Sequence, residues 1–495
     1  MKNKSLIIGG IVLSLMIVLS IGTYAYWTLT RSQEGENKLI GGCLNVDITE
    51  QSDGISLEKA WPISDFEGMQ LEGYTFKVTN YCEEPQDYRI DLDRLIDSEG
   101  RKEMTNKSLA TLLDYGVPVL YSELETGETT DEEVKEKRVL AYDTVMGKVG
   151  DTPGSNTHTL RIWIDEESDI EDQGSTFLSR VEINAGQGIE KYYTPEECFT
   201  FDSSTGSITA YDETLEGCTT DVVIPYEITP TDATEPVAVT QIGASAFKEK
   251  GITSVEFPRS VTTIGNQAFQ TNKTLGKIIF KDGLNSIGIQ AFSSMNSISN
   301  EDRGVLEFVM FPETLTTING AAFVGNSLKQ VIIPDNVTTL SLSKHFAFNE
   351  IKDYKIGKGI SVLSSLCFRG NFIEKVVIPD HITKLSSHDF GNNPIKEIHL
   401  GSGLTYIGSS VFDNYALAGE HTYPVMTNYL TEVYIPDNVT TLGVTVFGSA
   451  TSDVIIRTER TKEDFLANVT TETTSGYEWY GDAQVISSDG LNIYE

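Results

Sequence analysis

The chain has 495 residues, 39% of them hydrophobic, and a formal net charge of −35 at pH 7. One hydrophobic core does not organise a chain of this length, so two or more domains are expected. The negative charge repels phosphate backbones, and we therefore expect no binding to nucleic acid.

The first thirty residues have the composition of an export segment. Lys2 and Lys4 precede an apolar run over residues 5–22, and the residues that follow suit a signal peptidase. The run is also long enough to cross a bilayer without cleavage. Residues 1–30 are predicted to be a signal peptide or a membrane anchor, and membrane contact would be confined to residues 5–25.

Residues 31–190 are predicted to form an antiparallel β-sandwich. Hydrophobic and polar residues alternate with the period of a strand in five short segments, which are 44–48, 74–79, 88–92, 160–164 and 177–183. Acidic and glycine-containing turns separate them, as in all-β domains. Residues 105–113 are predicted to be a short helix. Cys43 and Cys82 lie on predicted strands and are candidates for a disulfide.

Residues 165–172 place six carboxylates in eight positions. They predict either a calcium-binding loop, since hard cations prefer oxygen ligands, or a solvated acidic turn. The spacing does not match an EF-hand and the loop lacks its glycine, which favours the turn. Of six histidines only His158 lies in this domain, so no histidine-based zinc centre is expected there. We expect no metal, no cofactor and no enzymatic activity.

One short pattern recurs nine times in residues 195–450. Its first half reads as a strand, as in Leu328, Val331 and Ile333. Regular copies start 22 or 23 residues apart. A repeat of this length is typical of a solenoid, in which each coil buries its apolar side against its neighbours. The chain is therefore predicted to be mainly β, with a sandwich followed by a solenoid that carries a parallel sheet.

The second half of each repeat has a stricter spacing. An aliphatic residue is followed by another three residues later and by phenylalanine five residues beyond that, as in Val261, Ile264 and Phe269. Phe346 stands one place late, so we expect His345 to accompany a one-residue insertion. Residues 451–495 are predicted to cap the stack.

The segment from Val255 to Phe269 resembles the BspA-type leucine-rich repeat. The leader from Cys198 to Tyr211 resembles the usual first coil of that family. The resemblance covers about residues 195–485. It implies a secreted or surface-displayed protein that binds host components, partner cells or matrix, and it brings no catalytic residues.

The N-terminal domain is similar to exported proteins of the TasA/camelysin type. The segments that carry this resemblance are 23–28, 74–80 and 159–165. It implies a biofilm-fibre subunit or a surface protein. Camelysins are described as metalloendopeptidases, so a surface peptidase is a further hypothesis, but the sequence holds no motif that supports it.

Three other cysteines lie in the repeats. Cys198 and Cys218 bracket the first coil and are predicted to form a disulfide at the exposed end of the solenoid. Cys367 replaces the small residue before Phe368 and is predicted to be a buried thiol.

Side chains between the inward positions of the first strand are predicted to point outward. On this face we expect a binding surface formed by Ile279, Phe308, Met310, Ile332, Lys355, His399 and Tyr434. The first four would lie together as an apolar patch, which usually marks an interaction site, unless the insertion at 293–303 covers them.

Insertions lengthen three repeats, at 229–236, 293–303 and 413–428. Insertions in solenoids become surface loops that often bind ligands. The last is the best candidate binding loop because it contains Tyr415, His421 and Tyr423. A surface insertion without function is the other interpretation.

Together these features predict an exported protein, extracellular or at the cell surface, that binds a host or bacterial surface protein or glycan. The alternative is a structural subunit of a biofilm or surface matrix that self-associates through its N-terminal domain.

Overall fold

The computed structural model shows a mainly β chain that divides into two units between residues 192 and 193. The described residues are 44–47, 55–58, 62–98, 100, 102–105, 109–114, 116–168, 175–185, 189–231, 233–295, 303–414, 429–448, 450–451, 453–472 and 478–494. Among them no helix is long and apolar enough to span a membrane. The predicted export segment lies outside the described residues.

Two sheets form the first unit. One contains β1 (Leu44–Asp47), β3 (Pro62–Ile63), β4 (Tyr74–Asn80), β6 (Leu109–Leu113), β7 (Val119–Leu120) and β10 (Gly154–Asp165). Its order is β1-β4-β10-β6-β7, and β3 pairs with β10 in parallel. The other contains β2 (Ile55–Glu58), β5 (Gln86–Leu95), β8 (Glu125–Gly127), β9 (Val134–Val145) and β11 (Thr176–Ala185). Its antiparallel order is β2-β11-β5-β9-β8.

Alternating side chains from both sheets meet in one core, which includes Phe76, Ile90, Ile162 and Phe177. The predicted helix at 105–113 is wrong, because Leu109–Leu113 is strand β6 and pairs with β10. Both faces of this strand are buried, so its apolar residues do not alternate with polar ones. The helix α1 (Asp65–Gly68) begins with a capping box formed by Ser64 and Glu67.

Coils of the second unit carry two ladders of short strands. The first ladder contains β14 (Asp221–Val223), β18 (Ser254–Glu256), β20 (Lys277–Ile279), β23 (Gln330–Ile332), β25 (Asp353–Lys355), β26 (Lys375–Val377), β28 (Glu397–His399), β30 (Glu432–Ile435), β32 (Ile455–Thr458) and β34 (Gln484–Ile486). Its strands pair in parallel, as predicted, in four groups along the solenoid, which are β14-β18-β20, β23-β25, β26-β28 and β30-β32-β34.

The repeat pattern does not predict the second ladder. It contains β12 (Phe199–Asp202), β13 (Ser207–Tyr211), β17 (Gln241–Ile242), β19 (Thr263–Ile264), β21 (Ser286–Ile287), β22 (Thr317–Ile318), β24 (Thr339–Leu340), β27 (Lys384–Leu385), β29 (Tyr406–Ile407), β31 (Thr441–Leu442) and β33 (Thr470–Thr471). Apart from the antiparallel hairpin β12–β13, these strands also pair in parallel. A small hairpin of β15 (Glu227–Ile228) and β16 (Val237–Ala238) flanks the first insertion.

The phenylalanine of each repeat forms a continuous stack inside the solenoid. Phe247, Phe269, Phe292 and Phe323 are buried and nearly parallel, with successive ring centroids 4.6, 5.2 and 5.3 Å apart. Phe346 is also buried in this stack, between Phe323 and its successor. The late position of Phe346 is therefore absorbed by the turn before it.

In five coils a buried asparagine three residues after the phenylalanine joins the coil to the one before. We call this set the asparagine rail, and it comprises Asn272, Asn326, Asn349, Asn371 and Asn393. In Asn371 the side-chain Nδ2 donates to the carbonyls of Phe346 and Phe368 at 3.0 and 2.9 Å. Its Oδ1 accepts the amide of Ile351 at 3.0 Å. The rail thus satisfies buried backbone groups that no strand pairs.

Both ends of the stack are closed. Cys198 and Cys218 form the predicted disulfide beside the hairpin β12–β13. At the other end α2 (Lys462–Asn468) precedes the buried Trp479, and the Trp479 indole donates to the hydroxyl of Tyr494 at 2.9 Å. The ladders continue past residue 450 into β32, β33 and β34 before this closure.

The remaining cysteines differ in state. Cys367 is a buried free thiol, as predicted. Cys82 is disulfide-bonded. Cys43 lies outside the described residues, so the Cys43–Cys82 pairing stays a prediction.

Candidate binding face of the first ladder

Strands of the first ladder alternate as their sequence predicts. The central residue of each is directed into the stack, so Val255, Ile278 and Val376 are buried. The residues on either side of it therefore lie on the outer face. One such residue precedes the buried position and one follows it, and parallel pairing aligns both into columns that run along the solenoid.

The N-terminal part of this face holds the predicted apolar patch. Ile279, Phe308, Met310 and Ile332 are all half-buried. The segment that carries Phe308 and Met310 forms no strand, whereas Ile279 and Ile332 end β20 and β23. Residues 296–302 of the neighbouring insertion lie outside the described residues. These four side chains are therefore only partly exposed on the outer face.

The C-terminal part of the face is more accessible. Val377 is 46% exposed, Tyr434 is 57% exposed, and the side chain of His399 is 55% exposed. We call these three residues the exposed row. Val377 and His399 are paired neighbours on β26 and β28, and Tyr434 follows on β30. Lys355 is also exposed, on β25.

Charged pairs of both signs flank the exposed row. Glu397 accepts hydrogen bonds from His399 and lies 3.3 Å from the ammonium of Lys375. The bond from His399 lowers the pKa of Glu397 below its usual value. Arg457 donates to Glu432 in the next strands, which raises the pKa of the guanidinium. The face thus offers locally balanced charge in a chain whose net charge is −35.

Sequence reasoning missed two members of this face. Val377 stands in the same column as the predicted residues but is not among the site residues that the sequence predicts. Arg457 pairs with Tyr434 in the ladder and lies beyond the ninth repeat, where the solenoid was expected to end. Continuing the column by one more coil would have found Arg457.

Other candidate sites fall wholly or partly outside the described residues. Tyr415, His421 and Tyr423 of the insertion loop do so, and their binding role stays a prediction. The acidic turn is described only up to residue 168. There, burial and the carboxylate of Asp165 raise the pKa of Asp65 to about 6. Within the described part of the chain, no group of three histidine, cysteine or acidic side chains is placed to hold a metal ion.

His158 belongs to a buried polar network inside the sandwich. Its Nδ1 bonds the carboxylate of Asp114, and its Nε2 bonds the hydroxyl of Tyr88. Asn156 donates to the same hydroxyl at 3.0 Å and to the carbonyl of Thr144 at 2.9 Å. These side chains satisfy one another between the sheets, which is a structural role.

Two ladders, a phenylalanine stack and an asparagine rail define a leucine-rich-repeat solenoid. Residues 240–302 and 302–418 match the model of the BspA type leucine rich repeat region in six copies. The repeat part of the chain is therefore BspA-like, as its sequence predicts. No curated protein sequence matches the chain.

Solved leucine-rich-repeat structures are similar to this chain in part. A leucine-rich repeat protein from Bacteroides ovatus is 22% identical with a TM-score of 0.44, and the match covers 58% of this chain and 69% of that one. A T. pallidum leucine-rich repeat protein is 21% identical with a TM-score of 0.29, over 39% and 86%. A leucine rich cell surface protein from Faecalibacterium prausnitzii is 19% identical with a TM-score of 0.22, over 56% and 93%.

Proposed function

We propose that this is an exported cell-surface interaction protein that binds a protein partner through the exposed row. The observation that carries this proposal is that Val377, His399 and Tyr434 are exposed on successive strands of the first ladder, the first two on the paired strands β26 and β28. The BspA-like repeats support a role in interaction, because stacked repeats present extended surfaces to a partner.

The chemistry of the face favours a protein over a glycan. Tyrosine and arginine are the residues that most often dominate protein interfaces, and Tyr434 and Arg457 are paired here. Charges of both signs surround them, which suits the polar rim of a protein interface.

Binding to the proteins of host or neighbouring cells tests this proposal. The full-length protein is immobilised, and saturable binding of labelled surface-protein extract is compared between the wild type and the Val377→Glu/Tyr434→Glu variant. The matched control is Leu342→Glu/Val362→Glu, which makes the same charge change at side chains 65% and 43% exposed. We expect at least a tenfold loss of affinity in the first variant and none in the control.

Equal binding by both variants would remove the exposed row from the interface. Loss of binding after the extract is treated with glycosidase, but not after protease, would show a glycan ligand instead. N-terminal sequencing of the mature protein from fractionated cells tests export and cleavage together.

The matrix-subunit hypothesis remains the second candidate, resting on the TasA/camelysin resemblance of the first unit. It predicts filaments of the purified mature protein in electron microscopy. Monomers under all solution conditions would count against it.

A further inference from the structure

Residues 351–372 form a coil that is paired less completely than its neighbours, and we call it the joint coil. Within the segment 303–414, which is described throughout, β25 of this coil pairs with β23 but not with β26. The second ladder is interrupted on the other side, since β24 pairs with no strand of the joint coil. In the second ladder the joint coil joins the next coil through a bridge from Val362 to Lys384. Backbone hydrogen bonds near the stacked phenylalanine still join it to both neighbours, as from the Phe368 amide to the Asp389 carbonyl at 2.8 Å.

Tyr354 occupies the inward position at the interruption of the first ladder between β25 and β26. Regular coils carry valine or isoleucine at this inward position, as at Val331 and Val376. The longer tyrosine packs on Phe368 and Phe390, with ring centroids 5.0 and 5.5 Å away. Its hydroxyl donates to the carbonyl of Val377 at 3.1 Å and accepts the Val377 amide at 2.9 Å. Those two backbone groups are therefore not available to β25.

The core is also polar around the joint coil. Earlier coils have alanine before the stacked phenylalanine, at positions 268, 291 and 322. Three successive coils have His345, Cys367 and Asp389 there, and all three are fully buried. The hydroxyl of Ser364 bonds Nδ1 of His345 at 2.9 Å. Asp389 accepts the amide of Ser386 at 2.6 Å and that of Cys367 at 3.4 Å.

Buried ionisable groups of this kind favour the neutral form. Burial raises the pKa of Asp389 well above its usual value, and Lys384 is the cation that opposes this effect. Burial lowers the pKa of His345 to about 4, although hydrogen bonds to the backbone of Ser341 and Ile318 act to raise it. Opening the stack at this point would hydrate both groups, so that their pKa values would return towards those of exposed side chains.

We propose that the joint coil is a built-in conformational joint, at which the stack opens locally while the coils on either side stay folded. Incomplete pairing of the joint coil on both ladders coincides with one buried polar group in that coil, Cys367, and one in each neighbouring coil, His345 and Asp389. Local openings of this kind are the low-stability end of a protein's native fluctuations. The opening would change the spacing between Lys355 on one side and the exposed row on the other.

Alkylation of Cys367 measures the opening directly. Wild-type protein and a Cys367→Ala/Ala291→Cys variant are treated with iodoacetamide under native conditions, without reductant, and labelling is followed by mass spectrometry. Position 291 is the equivalent core site in a coil whose second-ladder strand, β21, pairs on both sides, and it is equally buried. We expect labelling at position 367 to be at least tenfold faster, with the difference lost in denaturant.

Restoring the regular repeat should close the joint. Tyr354→Val, and separately His345→Ala/Asp389→Ala, should each slow the labelling of Cys367 at least tenfold. Equal native labelling rates at 367 and 291, or no slowing in either variant, would overturn the proposal.

The pH dependence separates the carboxyl from the imidazole. A raised folded-state pKa means that the closed state binds the Asp389 proton more tightly, so opening increases with pH above the unfolded value of 3.8. His345 acts in the opposite direction between about 4 and 6.5. The rate of Cys367 labelling in the wild type is therefore divided by the rate in the Asp389→Asn variant. Both proteins contain His345 and the Cys367 thiol, so the effects of these two groups cancel in the ratio. It should rise with pH from 4, by up to about tenfold per unit. A constant ratio would show that Asp389 has no part in the opening.

Discussion

Replacement of Asn272 by alanine tests the asparagine rail most sharply. The Asn272 side chain donates to the carbonyls of Phe247 and Phe269 at 2.8 and 2.9 Å, and it accepts the amides of Lys250 and Ile252, both at 3.0 Å. Alanine would leave the Ile252 amide and the Phe247 carbonyl buried without a partner. Each such group costs about 1–3 kcal/mol. With a smaller loss at Lys250, the expected cost is about 3–4 kcal/mol of unfolding free energy.

Urea unfolding of the full-length protein provides the measurement. The control is Asn336→Ala, because the exposed Asn336 makes a single bond to the carbonyl of Glu313 at 2.7 Å. We expect the control to lose about 0.5–1 kcal/mol. Comparing the two variants cancels the contribution of the sandwich unit. Similar unfolding midpoints for Asn272→Ala and Asn336→Ala would refute the view that the rail satisfies buried backbone groups.

Three further changes should reduce the stability of the solenoid, each measured by thermal or urea unfolding. The double change Cys198→Ala/Cys218→Ala opens a link between residues 20 apart and should cost about 3 kcal/mol, and an unchanged midpoint would contradict this. Phe292→Ala removes a ring stacked on both sides and should cost about 3–5 kcal/mol of unfolding free energy. Phe292→Leu keeps most of the side-chain volume and should cost less than about 1.5 kcal/mol, and an equal loss in both variants would contradict a cost set by the filled volume. Gly283→Ala places a Cβ 2.1 Å from the Arg259 carbonyl at φ 119°, so it should cost about 1–3 kcal/mol; a neutral result would disprove the close approach.

Much of the solenoid is predictable because its signals are periodic. The spacing of Val261, Ile264 and Phe269 recurs in successive coils, and a slip would move phenylalanine out of the stack. The second ladder escapes prediction because strands such as Thr263–Ile264 are too short to show a period of two. The asparagine rail has a sequence signal, asparagine three residues after phenylalanine, but the predicted repeat pattern ends at the aromatic residue and does not include it.

Tertiary context limits prediction elsewhere. The strand Leu109–Leu113 has the composition of a buried helix and becomes a strand only because β10 lies beside it. The sequence predicts that the side chains of the columns point outward, but it does not predict how exposed each one is. The half-buried Phe308 and the exposed Tyr434 lie on the same face. The break at Tyr354 depends on where its hydroxyl reaches, which no repeat pattern contains.

The asparagine rail constrains how the gene for such a protein can change. The side-chain amide of each rail residue bonds its own coil and the preceding one, as that of Asn371 does with Phe368 and Phe346. Duplication or deletion of one whole coil therefore leaves every remaining amide with an equivalent partner. A gain or loss of residues between the phenylalanine and the asparagine would misalign the asparagine with its carbonyls, whereas Asn326 keeps both bonds across the insertion at 293–303. Copy number can thus vary between descendants of this chain while the spacing from phenylalanine to asparagine is conserved, so the outer face can lengthen without redesign of the interior.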